Sequence, residues 1–539
     1  MSKKVENILV KKAIQSQICY EALKDIVDIN ETIPTVFCVN GKRKGQMVKA
    51  CFKNNSFPKY KPILDIIRLR GVNKLFKDEK VLQTPPTAAA LAACGVIASE
   101  IGKLRGGCDA EPIVYCDISF AGMQAIRLYM EATNEDAFNL QRFNSCFNVN
   151  NALNGSFYKY NTKDNRKFSF HVYYESQKAK LVAALKTDKK PEEFTMSSIK
   201  ADRPIISDIA AQYNGTDLEE FCFDCGASGC VIRSREEWEE TEVGKAVCSM
   251  PLLRTTKVSE SKPKKYPATT SAGPLSGIKV LDLTHIIAGP ACTRILAEYG
   301  ADVLLVRRGG FDCQEQSFLE LDGWAGKHSI QLDFNDAKSL ARMKELVKEA
   351  DVVAYSYQNG VLDHFGLSRE EMHKMNPNLI YGNLMCFSDT VWSDRPGWAP
   401  LAEDITGLSV RNGSKEEPKN LNGVPLDYVP GTVLALGILN AIKKSMVEGG
   451  GYHVTTSLSR AAQWLHECTD LCAEEPTKKF TTKIENNRNF EVWNDVIQMV
   501  DNNAVGKIGF PSPAIVNPNQ PNTIPNMLFT DGNTGWRQK

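Results

Sequence analysis

From Gly277 onward, short aliphatic runs alternate with helical patterns, and this alternation restricts the possible folds more than any other feature of the chain. The run "GIKVLDLT" (277–284) has the continuous apolar character of a strand covered on both faces. It is followed by "AGPACTRILAEYG" (288–300), a helical pattern with Pro290 at its start and Gly300 at its end, and by a second strand, "ADVLLVRR" (301–308). The β-α-β unit continues with strand "HSIQLDF", helix "DAKSLARMKELVKEA" with Asn335 as its cap, strand "DVVAYSY", a helix opened by a Ser368–Glu371 capping box, and strand "NLIYGNLMCFS". Strands separated by helices pair in parallel, so the expected fold class is α/β, a largely parallel sheet covered on both faces. Ligands of such sheets sit outside the carboxyl ends of the strands. No G-x-G-x-x-G follows the first strand, which removes the main support for a plain dinucleotide site.

A repeat organises the rest. "PTAAALAACGVIASEIGKLRGG" (86–107) is similar to "PGTVLALGILNAIKKSMVEGG" (430–450), and each is followed by a short β-like stretch, "IVYCDIS" or "HVTTSLS". Lining up the paired glycines sets Asp427 opposite Thr84, so the helix is duplicated and the carboxylate is not. Asp427 stands just before a Pro-Gly break and a long apolar helical run, where an aspartate ordinarily caps a helix or makes a turn. Between the two copies, the Ser-, Pro-, Lys- and Thr-rich segment 259–273 reads as an exposed linker. The expected organisation is a divergent half over 1–258, the linker, a main domain over 274–475, and a C-terminal tail, 476–539, packing back on the core.

Charge narrows the function classes. Lys and Arg total 65 against 64 Asp and Glu, a net charge of +1, which offers no electrostatic footprint for nucleic acid or an anionic membrane. Apolar runs are interrupted by Lys or Gly before the roughly 20 residues a membrane span needs. The start, "MSKKVENILVKKAIQ", has no apolar signal core, so the expected location is cytoplasmic, with mitochondrial as the alternative. The 16 cysteines are scattered, as fits reduced thiols. Cys222, Cys225 and Cys230 in "CFDCGASGC" supply three zinc-ligand types with no nearby fourth, so no metal is expected.

Six ordered blocks between Pro274 and Leu471 resemble the family III CoA transferases, the group that includes formyl-CoA transferase, carnitine CoA-transferase and, as a relative, α-methylacyl-CoA racemase. They are "PLSGIKVLDLTHIIAGPACTRILAEYGADVLLVRR", "GKHSIQLDF", "ADVVAYSYQNGVLDHFGLS", "MNPNLIYGNLMCFS", "DRPGW" and "GVPLDYVPGTVLALGILNA". More faintly, "GSFYKYNTKDNRKFSFHVYYESQKAKLVAAL" resembles the family's small domain, and "GCVIRSREEWEETEVGKAV" resembles the loop and helix after that domain. The resemblance implies a Rossmann-like CoA-binding domain over 274–475, a smaller α+β domain, and a homodimer.

It also implies an activity, transfer of coenzyme A from an acyl-CoA to a carboxylic acid acceptor, with CoA as co-substrate and no nucleic acid or membrane partner. Asp427 falls at the family's nucleophile, which forms an aspartyl mixed anhydride and then an aspartyl-CoA thioester. An aspartate of ordinary pKa, about 3.9, is ionised at neutral pH and needs no activating base. Arg308 matches an arginine facing the nucleotide phosphates, and Leu332 and Phe334 match apolar positions near the adenine that would otherwise be plain core. Ser356, Val361 and His364 stand where the family has Asn, Ala and Arg near the nucleotide. Ile287 and Ala399 replace the Gln and Glu of formyl-CoA transferase, which argues against that substrate. Two alternatives stay open: a 2-methylacyl-CoA racemase, weakened because Trp398 and Ala399 occupy the block that holds its second base, and a divergent non-catalytic acyl-CoA-binding protein.

Overall fold

The computed structural model of the protein describes residues 3–27, 29, 35–38, 79–107, 114–117, 158–172, 175–185, 199–270, 273–307, 323–421 and 424–474, with short stretches between 497 and 536. Its main body is an eight-stranded sheet in the order 528–529, 328–331, 302–307, 279–283, 352–355, 380–385, 452–457, 254–257. All neighbours are parallel except the last pair, where Tyr452 faces Lys257 across an antiparallel edge. The central strands carry unbroken aliphatic runs because helices cover both faces: Val352–Tyr355 is buried at every residue. The helical punctuation differs in one place. Asp336, not Asn335, caps the helix Ala337–Glu349, because the Asp336 carboxylate accepts the Ser339 N–H at 2.8 Å. Ser368 caps its helix by accepting the Glu371 N–H at 3.2 Å.

The repeat helices, Thr84–Leu104 and Pro425–Glu448, are long and apolar enough to cross a bilayer by length and composition, contrary to the reading of their interrupted runs. Both instead form the centre of the protein: residues 84–102 and 425–442 are buried throughout. They lie side by side and run the same way, with the Cys94 Sγ against the Thr432 carbonyl and Lys443 paired with Glu100 at 2.9 Å near their ends. The alignment that pairs Thr84 with Asp427 also pairs Glu100 with Lys443, and Leu104 with Val447, the two apolar residues exposed at the C-terminal ends. The duplicated helices therefore pack against each other, with the aligned residues Glu100 and Lys443 meeting in space.

The segment 259–270 has little secondary structure, yet it is tied down. The hydroxyls of Ser259 and Ser261 accept the N–H groups of Gly451 and Gly450, each at 2.8 Å. Arg105, at the end of the first repeat helix, donates to the carbonyls of Pro267, Pro274 and Ser276 at 2.7–3.0 Å. A small antiparallel sheet of 160–161, 167–170 and 229–231 stands apart from the main sheet, packed on the helix Gly215–Asp224 and joined to the helix Ala399–Ile405.

Candidate active site

The first strand, Lys279–Leu283, ends in a loop held by a buried polar network. Asp282 accepts the Thr284 N–H at 3.0 Å and the hydroxyls of Thr284 and Thr293 at 2.6 Å each. The Lys327 ammonium donates to Asp282 and Thr293, both at 2.6 Å, and to the Pro290 carbonyl at 3.1 Å. All of these side chains are buried. Burial lowers the Lys327 pKa while Asp282 opposes that fall, so the ammonium depends on its partners. The network fixes residues 284–289 against the start of the helix Ala288–Glu298.

That helix meets the second repeat helix through backbone. A Cβ on Gly431 would lie 2.4 Å from the Ala288 carbonyl oxygen, so only glycine allows the approach. One turn earlier stands Asp427. The helix begins at Pro425, after Val424 in a left-handed conformation (φ 51°), so Asp427 lies within the first turn rather than ahead of the helix. Pro430 sits inside the helix, where it removes the N–H that would bond to the Leu426 carbonyl.

Asp427 opens into a cleft at the carboxyl ends of the parallel strands, lined by residues 285–289, 356–359, 384–386, 393, 395–399 and 458. Three of the four non-glycine residues with positive φ among the described residues, Ile286, Trp392 and Val424, lie at or beside it. Such conformations are costly for large or β-branched side chains and persist only where surrounding packing enforces them.

Asp427 is 9% exposed, and burial pushes its pKa up to about 7. That corrects the expectation of an ordinary carboxylate: loss of solvent outweighs whatever the helix start contributes. Cys386 shares the cleft, its thiol raised by burial and by the neighbouring Asp427 charge. Across the cleft, the Ser356 hydroxyl accepts the His285 N–H at 3.1 Å and lies 3.2 Å from His285 Nδ1. The His285 ring is parallel to Tyr357, with centroids 4.2 Å apart. Burial lowers His285 to about 4, leaving it neutral at pH 7. At the rim, Arg395 forks onto Glu220 at 2.9 and 2.5 Å and packs over the rings of Trp392 and Phe223.

Of the residues expected at the site, Ser356 and Asp427 share this cleft. Leu332 and Phe334 belong to a neighbouring hydrophobic cluster, where Phe334 meets Phe365 edge to face at 5.6 Å. The His364 ring lies against Phe365, tilted by 40°, and Val361, 41% exposed, lies on the turn that continues from the cleft. Arg308 lies outside the described residues. His285, Tyr357 and Arg395 were not singled out by sequence reasoning, although the quoted blocks "DLTHIIAGP", "YSYQNG" and "DRPGW" contain them.

The cysteine cluster divides. Cys230 comes together with His171 and Asp404, and it does so without Cys222 and Cys225. Asp404 is already engaged by the Lys159 ammonium, by the Ser169 hydroxyl at 2.6 Å and by His171 at 3.3 Å, and the ammonium holds its carboxyl well below the usual range. The cluster fastens the helix carrying Ala399 to the small sheet. An ammonium already neutralises the carboxylate there, so these residues suit an ion pair better than a metal.

Residues 275–497 match the model of CoA-transferase family III. An acyl-CoA transferase of Gibberella moniliformis is 30% identical over 313 residues, covering 55% of this chain and 53% of its own. A formyl-CoA:oxalate CoA-transferase of Escherichia coli is 31% identical over 202 residues, covering 35% and 48%. A solved CaiB/BaiF family protein of Brucella suis is 26% identical with a TM-score of 0.34, over 38% of this chain and 58% of that one. The chain thus spans about half the length of the curated relatives it matches.

Proposed function

Because residues 275–497 match the model of CoA-transferase family III, we propose that the chain moves coenzyme A from an acyl-CoA to a carboxylic acid, with Asp427 as the nucleophile. The observation that carries the reading is the Asp427 carboxylate itself, buried at the base of a cleft that collects three strand-end loops. A poorly hydrated carboxylate gives up less solvent on attack. Asp427 attacks the thioester carbonyl and expels the CoA thiolate, forming a mixed anhydride. The thiolate then attacks the aspartyl carbonyl, releasing the donor acid and leaving an aspartyl-CoA thioester. The acceptor carboxylate attacks that thioester, expelling the thiolate, which takes the acceptor acyl group from the second anhydride and frees Asp427. Four such steps need no net proton.

The N–H groups of Ala288 and Gly289, in the first turn of their helix and lining the cleft, have no intrahelical acceptor and suit the developing oxyanions. His285 and Ser356 hold that loop in place. Incubation with an acyl-CoA followed by borohydride reduction is expected to convert Asp427 to homoserine, read by peptide mass mapping. An acyl-CoA binder without catalysis would leave the residue intact.

The rate should follow the ionised form of Asp427. With its pKa raised to about 7, kcat/KM for the acyl-CoA is expected to rise about tenfold per pH unit in the acid limb and to level off above neutrality. Initial rates at low acyl-CoA from about pH 5.5 to about 8.5 check this. A flat profile would remove burial as the control on Asp427.

One observation favours a second reading. His285, neutral and in the same cleft, is a candidate partner base to Asp427 for α-proton exchange. Solvent deuterium entering a 2-methylacyl-CoA without CoA transfer would support racemization instead.

A further inference from the structure

We infer that the acyl group received beside Asp427 is apolar and carries no second carboxylate, so that the substrate acids are apolar monocarboxylates. This rests on the transferase reading. The cleft that holds Asp427 is lined in part by Ile287, Leu384, Cys386, Trp398, Ala399 and Leu458. Ile287, Leu384, Ala399 and Leu458 are each less than a tenth exposed. They are held by the main fold: Leu384 comes from a central strand, Ala399 starts the helix anchored by Asp404, and Ser459, next to Leu458, donates its N–H to the Cys386 carbonyl at 2.9 Å. This lining is rigid as well as apolar.

The cleft also reports how it treats negative charge. Desolvation alone drives the Asp427 pKa upward there, the signature of a site that stabilises one carboxylate poorly. A second carboxylate in the same space meets the same desolvation and, in addition, repulsion from Asp427 in a medium that screens weakly. Arg395, the guanidinium in the cleft lining, is held bidentately by Glu220 and packs over two adjoining aromatic rings. Its charge is already matched.

Butyryl-CoA and succinyl-CoA have four-carbon acyl groups and differ by one carboxylate. The test is their binding to the full-length Asp427→Asn protein by calorimetry, with CoA alone as reference. This variant removes turnover and the Asp427 charge, so the preference it reads comes from desolvation by the cleft alone. Butyryl-CoA is expected to bind more tightly than CoA and at least about tenfold more tightly than succinyl-CoA. The Glu220→Gln change, on a half-exposed side chain, frees Arg395 and is expected to narrow that preference. Equal or reversed affinities overturn the substrate class while leaving the transferase reading standing. Thioesters that bind no better than CoA also overturn it, since the acyl group then lies outside the cleft. Failure of CoA itself to bind removes the transferase reading, and this inference with it. A preference that persists unchanged in Glu220→Gln overturns the role given to Arg395.

Discussion

Asp427→Asn is expected to lower CoA transfer by about 10⁴-fold or more, the scale of losing a nucleophile, while CoA still binds. The same change should alter stability in the direction opposite to loss of a cap. The folded-state pKa of Asp427, about 7, lies above its ordinary 3.8. The folded protein therefore binds the proton more tightly than the unfolded chain. The stability tied to this proton is fully present below the ordinary pKa and is lost as pH rises through about 7. Asparagine is neutral at every pH and does not carry that penalty. The variant should exceed wild type modestly near pH 5, by about 1–2 kcal/mol, and more strongly near pH 8, by at most about 4 kcal/mol. Thermal melts at the two pH values read the difference. If Asp427 were a structural cap, the variant would instead lose about 1 kcal/mol and keep its chemistry. The geometry already disfavours that role, since Val424 occupies the N-cap and no side chain caps the helix. Near wild-type exchange by Asp427→Asn would falsify aspartyl catalysis.

The second large effect is expected at Lys327→Met. This substitution removes the ammonium from a pocket where Asp282 is fully buried, leaving a carboxylate with hydroxyl and amide donors but no counter-charge. Breaking one side of a buried pair costs about 3–5 kcal/mol, far more than the pair contributes over a neutral replacement. A marked fall in melting temperature should accompany loss of transfer, because the loop 284–289 beside Asp427 is what the network holds. Adding Asp282→Asn to Lys327→Met should recover part of the melting temperature by removing the uncompensated charge. A Lys327→Met protein that melts with wild type would show that the loop is fixed by other contacts, with the Gly431–Ala288 helix crossing as the first to examine.

Much of the fold was legible because its signals are local. The strands 279–283, 302–307, 328–331, 352–355 and 380–385 each follow from a short aliphatic run bounded by a helix start or stop. The cap at 336 was misplaced by one residue, since Asn335 and Asp336 are both good caps and only the path of the backbone chooses between them. The start of the second repeat helix was misread for a related reason. Pro430 looks like a helix opening, yet a helix begun at Pro425 tolerates it at the loss of one hydrogen bond.

By itself, the sequence determined the alternation of strands and helices, the duplication of the apolar helix, and the single carboxylate at 427. Each depends on periodicity or on residues near one another in the chain. The tertiary structure alone decided that Asp427 is buried and hard to ionise, that His285 stacks on Tyr357 beside Ser356, and that Arg395 is taken up by Glu220. Burial and charge pairing are set by atoms brought close from distant parts of the chain. Ala288 and Ala399 reach the cleft from the starts of two helices distant in the chain, and Glu220 arrives from the helix packed on the small sheet. The same aspartate beside the same proline would be an ordinary solvated carboxylate if those segments packed elsewhere, because its pKa depends on the water that the surrounding fold removes.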